Sequence, residues 1–279
     1  MGGSGRAWRA AAAACMATRL LTGTSAAQSA GDPNPGAITL TGSMDVSNAY
    51  LFRGIPQDDT GLILWPAADL GVALRSGGRA VRSVTVNLGM WNSLHTGITG
   101  VDGPSGKLWY ESDFWTSVGV GFAGGVNVAA TYTAYTSLNG AFPSVKELSL
   151  KASARVHGTN PYALVAFELE GQADGGAVEG RYLELGAAPA LGLAGIAVAV
   201  PVKVGLSLDG YYEGLRGDER FGFFSVGGNV TVPFSSDRSR FGRWSVHGGA
   251  DYVRLGDSNA LRLGDNSKVI ISAGIGLSY

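Results

Sequence analysis

Ser93 and His95 are the residues whose types and spacing come nearest to a reaction. Two positions apart on an extended strand, they share a face. A serine beside a histidine is the pairing in which an imidazole takes the hydroxyl proton as the oxygen attacks an acyl carbon. Asp58, Asp59 and Asp102 are the carboxylates in neighbouring polar stretches that would complete such a cluster. No G-x-S-x-G elbow surrounds Ser93, so hydrolysis through Ser93 and His95 is kept as an alternative and no enzyme is expected. His157 falls in a turn and His247 on a polar face, where both read as ordinary polar residues. The acidic, Gly-bearing stretches at Asp58-Asp59 and 256–265 lack EF-hand spacing, and the glycines of 119–125 and 227–228 are not followed by Lys-Ser/Thr. Neither a metal nor a cofactor is therefore expected.

A larger set of charged residues shares one parity along the chain. Asp45, Asp69, Glu111, Asp113, Glu147, Glu168, Glu184 and Asp251 alternate with apolar neighbours, as do Arg53, Arg75, Lys107, Lys151, Arg155, Lys203 and Arg243. Both signs are present in near balance. Such charges set the selectivity of a narrow aqueous path, or pair and close it.

The elements that carry them are strands. From Ile38 the dominant signal is period two. Ile38, Leu40, Gly42, Met44, Val46, Tyr50 and Phe52 fall on one face, and Thr39, Thr41, Ser43, Asp45, Ser47 and Arg53 on the other. Residues 107–122, 196–208 and 269–279 repeat the pattern, and the last two parities run unbroken, including across Pro201. Weaker copies bring the count to about twelve strands. Short turns at 76–78, 123–125 and 158–161 alternate with longer polar segments at 53–60, 96–106, 210–220 and 256–268, although 234–242 is long where a short turn is due. By parity Trp65, Trp91, Trp109 and Trp115 point to the polar side. Tyr50, Phe52, Tyr110, Trp244 and Tyr252 lie near strand ends on the apolar side, where a membrane interface would place them.

Composition supplies the compartment. Charged residues are 15% of the chain, where soluble domains carry about 25%. Glycine fills 44 of 279 positions without the triplet period of a collagen. Arg6 and Arg9 precede the run 10–17, and Thr24-Ser25-Ala26-Ala27 offers a small-x-small cleavage site, the pattern of an exported precursor cut after Ala27. The single cysteine, Cys15, lies inside that leader, so the exported chain has neither disulfide nor thiolate site. Loss of Arg6, Arg9 and Arg19 takes the 21 basic residues to 18 against 22 acidic ones, and no nucleic-acid partner is expected. In hydrocarbon every backbone N–H and C=O must be paired, and strands achieve this only in a closed barrel. The expected fold is an all-β transmembrane antiparallel barrel over 37–279, behind a signal peptide (1–27) and a short periplasmic segment (28–36). Short turns would face the periplasm and longer loops the outside of a Gram-negative cell.

Near the start of that barrel, Val46-Ser47-Asn48-Ala49-Tyr50-Leu51-Phe52-Arg53-Gly54-Ile55-Pro56-Gln57 resembles the opening signature of the TorF family of outer-membrane porins. The family pattern is a serine-asparagine pair, an aromatic, an aromatic-arginine-glycine-isoleucine run and a closing glutamine. This chain has an additional Ala49, and Pro56 where a serine is usual. The resemblance implies a passive outer-membrane channel and names no solute. The C-terminal Tyr279, with Leu277 and Ile275 before it, resembles the assembly signal of outer-membrane barrels. The expected partners are outer-membrane lipid, the barrel assembly machinery and small polar solutes. The selectivity candidates are Asp45, Arg53, Asp69, Arg75, Glu111, Asp113, Lys151, Arg155, Lys203, Arg243 and Asp251, with a weak preference for cations. A non-conducting structural or adhesive barrel is the other alternative.

Overall fold

The computed structural model describes residues 36–279 apart from 104, 157, 194, 215, 216 and 236–240. The expected leader, its cleavage site, residues 28–35 and His157 lie outside the described residues. In chain order the strands are β1 (Ile38–Ser47), β2 (Tyr50–Phe52), β3 (Ile55–Asp58), β4 (Ile63–Ser76), β5 (Val81–His95), β6 (Trp109–Phe122), β7 (Val126–Thr136), β8 (Val145–Ala154) and β9 (Tyr162–Glu170). They continue with β10 (Arg181–Ala187), β11 (Ala190–Leu193), β12 (Ile196–Ala199), β13 (Val202–Asp209), β14 (Glu213–Gly214), β15 (Gly217–Asp218), β16 (Phe221–Pro233), β17 (Arg243–Leu255) and β18 (Ser267–Ser278), with a short helix α1 (Asp257–Leu263) before the last.

Twelve of these strands form one antiparallel wall in the order β1, β4, β5, β6, β7, β8, β9, β10, β13, β16, β17, β18, and β18 pairs back onto β1. The ladder therefore has no edge around its circumference. Alternation decides which face points where. On β6, Phe114 and Val118 are 51% and 47% exposed on the outside, while Asp113, Trp115 and Ser117 are 3%, 8% and 4% exposed on the inside. Leu88, Leu150 and Ile271 are exposed on the same outer surface. An apolar exterior around a polar, charged interior inverts a soluble barrel, and most wall strands reach the 9 to 11 residues needed to cross a bilayer at a tilt. The chain is an outer-membrane β-barrel, twelve-stranded as its alternation leads one to expect.

Two wall strands are broken by proline, which has no N–H to donate. β10 continues into β11 across Ala188-Pro189, and β12 into β13 across Val200-Pro201. The carbonyls stay in use, since Val200 N–H donates to Pro189 O at 2.9 Å and Gly227 N–H to Pro201 O at 2.9 Å. Parity survives the break, with Val198 opposite Val230 and Val202 opposite Val226 in the outward rows.

Four departures from simple alternation overturn sequence expectations. The stretch 53–60, expected as an outer loop, is the far side of the hairpin β2–β3, so Tyr50 and Phe52 are buried in the lumen instead of lying at the lipid interface. A register shift sets Ser93 opposite Glu111 but Leu94 opposite Trp109, which leaves Tyr110 as the additional residue. That bulge exchanges two expectations: Trp109 is exposed and Tyr110 is buried. A second shift, between Ala73 and Arg75, pairs Arg75 with Val84 of the outward row, so Arg75 is an exposed residue near a turn and not part of the inner wall. Finally, α1 stands where a polar loop is expected. There Arg262 donates to the carbonyls of Asp174 and Glu213 at 2.5 and 3.1 Å, joining three loops.

Candidate functional site

The site is built on the hairpin that β1 sends into the barrel. At the end of β1, Asn48 takes over from the ladder: its Oδ1 accepts from Ile271 N–H at 2.7 Å and its Nδ2 donates to Val269 O at 3.2 Å. The chain then turns inward. Arg53 (φ +45°) and Gly54 (φ +83°) are consecutive left-handed residues between paired Phe52 and Ile55, as a tight two-residue hairpin turn requires. Gly54 also has no room for a side chain, since a Cβ would lie 2.8 Å from that of Phe223. Arg53 has no such freedom, and its backbone conformation costs about 1 kcal/mol or more.

What holds Arg53 there is its side chain. Its NH1 and NH2 donate to Oε2 and Oε1 of Glu147 at 2.6 and 2.7 Å, and NH1 also reaches the Tyr211 hydroxyl at 2.7 Å. The guanidinium carbon lies 4.3 Å from the Tyr182 ring centroid and 4.9 Å from that of Phe52. Tyr135 donates to Glu147 Oε1 at 3.2 Å, and Tyr212 donates to the backbone oxygen of Arg53 at 2.8 Å. Two carboxyl side chains of β6, Glu111 and Asp113, flank this cage, with Asp113 directly across from Tyr135.

The base of the hairpin is held by aromatic packing and a polar relay. The Tyr50 ring lies 5.7, 5.4 and 6.5 Å from those of Trp65, Trp91 and Tyr110. Beneath them Trp115 crosses Gly89 so closely that a Cβ there would lie 2.0 Å from the indole. Inner-wall glycine makes room for lumen aromatics. On the other side of Tyr50, Ser93 Oγ lies 2.5 Å from His95 Nε2 and accepts from Trp65 Nε1–H at 2.9 Å. His95 Nδ1 lies 2.5 Å from Thr99 Oγ1, whose hydroxyl donates to Asp58 Oδ2. One assignment of protons satisfies every group: Trp65 donates to Ser93, Ser93 to His95, His95 to Thr99 and Thr99 to Asp58. The other Asp58 oxygen accepts from Thr60 N–H and Oγ–H at 2.9 and 2.6 Å. Burial alone would raise the Asp58 pKa, but these donors and His95 outweigh it and hold the carboxyl well below the usual range.

The serine, histidine and aspartate weighed from the sequence thus do meet, with His95 Nδ1 3.4 Å from Asp58 Oδ2. Asp58 is the carboxylate that joins them. Ser93 and His95 are fully buried, under Tyr50 and Tyr110. As placed, the arrangement ties hairpin to wall, and no acyl group reaches the serine oxygen.

Towards the short-turn end the inner wall carries the remaining candidates. Asp45 bonds His247 Nε2 at 2.6 Å, and Asp69 accepts from Asn87 and Trp115 at 2.6 and 3.0 Å. With buried Asp251 they lie on β17, β1 and β4, one side of the barrel. Lys151 on β8 sits 4.3 Å over the Tyr162 ring and Lys203 on β13 5.6 Å from that of Phe223. Glu184 lies between the lysines' strands and accepts from Tyr162 and Tyr182 at 2.6 and 2.7 Å. Arg243 is half-buried on the inner row of β17, and Arg155 is exposed beyond β8. Between the hairpin and the wall a cavity of about 60 Å³ remains, lined in part by Trp65, Trp91, Lys203, Phe223 and Asp251. At the seam, Tyr279 and Leu40 exchange two backbone hydrogen bonds of 2.7 and 2.8 Å, so the proposed assembly residues Ile275, Leu277 and Tyr279 end the strand that closes the wall.

Sequence reasoning missed Tyr110, Tyr135, Tyr182, Tyr211 and Tyr212 as lumen residues. For Tyr135 and Tyr182 parity with the neighbouring inner residues Thr133 and Glu184 was a usable signal. For Tyr211-Tyr212, in a loop, no periodicity exists to read.

No protein-family model matches the chain, and no curated protein matches it in sequence. Among solved structures it is similar to outer membrane phospholipase A from Escherichia coli, at 8% identity over 85% of this chain and 92% of that one, with a TM-score of 0.46. It is also similar to the translocator domain of the autotransporter NalP from Neisseria meningitidis, at 14% identity over 95% and 94% and a TM-score of 0.43. The porin NanC is a third, at 9% identity over 86% and 99% and a TM-score of 0.43.

Proposed function

We propose that this barrel is an outer-membrane channel for small polar solutes, and that the hairpin β2–β3 closes it in the form described. The supporting observation is the inner wall: acidic side chains on β1, β4, β10 and β17 and basic ones on β8 and β13 line it together, so the lumen carries charge of both signs. A lumen lined with charges of both signs suits the passage of polar solutes, whereas a barrel that only anchors loops has no use for them. The hairpin lies across that path, tied by Arg53 at its tip and Asp58 at its base. The resemblance of residues 46–57 to the TorF signature agrees with this reading, because the signature residues are the hairpin itself.

The test is solute entry into liposomes carrying the refolded protein. A variant with residues 49–60 replaced by a short Gly-Ser link admits sugars and amino acids faster than the parent. Equal, background-level entry for both would overturn the reading.

The hydrolase alternative rests on the Ser93–His95–Asp58 geometry, and the full burial of Ser93 opposes it.

A further inference from the structure

Arg53 sits in its cage as a ligand sits in a receptor. The Glu147 carboxylate takes its guanidinium, and Asp113 lies across the ladder from Tyr135, which also bonds Glu147. Both oxygens of Glu147 are used by the two ends of its fork, a hydroxyl accepts at one side, and an aromatic ring lies against its face. That combination fits a planar, forked cation and fits a compact ammonium less well. Beside Tyr135, on the neighbouring strand, Asp113 Oδ1 has no hydrogen-bond partner although its residue is only 3% exposed.

We propose that this cage is a binding site for solutes bearing a guanidinium group, and that Arg53 occupies it as a tethered competitor. Glu147 on β8, Tyr135 on β7 and Tyr182 on β10 belong to the closed ladder and not to the hairpin, so withdrawal of the hairpin leaves their contacts to a guanidinium open. A free guanidinium solute then takes the contacts that Arg53 leaves. Because the tether gives Arg53 an effective concentration on the order of millimolar, a solute competes only above that range or after the hairpin has moved. The inference deepens the channel reading by naming a solute class, but binding itself does not depend on conduction.

Arg53→Ala in detergent micelles separates the two. Guanidinium chloride and methylguanidinium chloride, titrated at low millimolar concentration and constant ionic strength, are expected to raise its melting temperature saturably. Tetramethylammonium chloride, which has no N–H, is expected not to. The parent should need at least tenfold more guanidinium, and Arg53→Ala combined with Glu147→Gln should lose the response by tenfold or more. No saturable response in Arg53→Ala, or the same response in the parent or in the double variant, would overturn the proposal. If Arg53→Ala does not fold, as judged by its gel mobility before and after heating, Arg53→Met keeps the stem volume and is read in the same way. Saturable binding to a protein whose hairpin-shortened form passes no solute would leave the cage standing and remove the channel.

Discussion

Arg53 and Glu147, 94 positions apart in sequence, meet inside the barrel with both guanidinium nitrogens on both carboxylate oxygens at 2.6 and 2.7 Å. The pair joins the tip of an inserted hairpin to a wall strand four places round the barrel from β4. It is buried on both sides, with side-chain exposures of 8% and 2%. In that setting the loss of one partner leaves the other charged and unpaired, which costs about 3 kcal/mol or more.

Arg53→Ala and Glu147→Gln should each raise hydrogen exchange of the hairpin amides on the order of 100-fold, given about 1.4 kcal/mol per factor of ten. The double variant should cost clearly less than the two losses added, because the interaction can be lost only once. Strict additivity in exchange mass spectrometry would mean that the tip is held by ring packing and not by the ion pair.

The base of the hairpin should respond to acid and not to base. Asp58 is held below its ordinary value of 3.8, so the stability it lends is present above that value and lost as the pH falls below it. Hairpin protection should therefore be level above about pH 5 and decline below about pH 4. Asp58→Asn should start loose and remove that decline. A loosening between pH 8 and 6 would show that another group governs the base.

Much of this was legible in the residues themselves. Period two gave the wall, its twelve strands and the inner row containing Asp45, Asp69, Asp113, Lys151, Lys203 and Asp251. It failed for Tyr50, Phe52, Trp109, Tyr110 and Arg75 for one physical reason: each lies at or beyond a point where the chain leaves the regular ladder. An added residue inverts the faces, and alternation in the residues alone cannot register it. The contact between Ser93 and His95 was foreseeable from their spacing, whereas Thr99 between His95 and Asp58 was not, because loop closure brings it there.

Ser93 should resist an activated-serine reagent. A fluorophosphonate probe needs a reachable oxygen, and Ser93 is fully buried with its oxygen already engaged by Trp65 and His95. Labelling of the parent that vanishes in Ser93→Ala would revive the hydrolase. The expected result is no labelling, with Ser93→Ala instead loosening the hairpin base.

With the hairpin shortened, the inner-wall charges should set ion preference, since charges in a narrow path act within a Debye length of about 8 Å. Asp69→Asn or Asp251→Asn should shift reversal potentials in a salt gradient towards anions, and Lys203→Gln towards cations. Val118→Leu, on the lipid face, should change nothing. Selectivity that moved with Val118 and not with Asp251 would mean that the inner and outer faces are exchanged.

The most direct test of the central claim is a planar-bilayer recording that compares the parent with the chain in which residues 49–60 are replaced by a short Gly-Ser link. The parent should show long closed periods with rare openings, and the shortened chain steady conductance steps. A shortened chain that inserts, shifts on the gel when heated and still passes no current would contradict it.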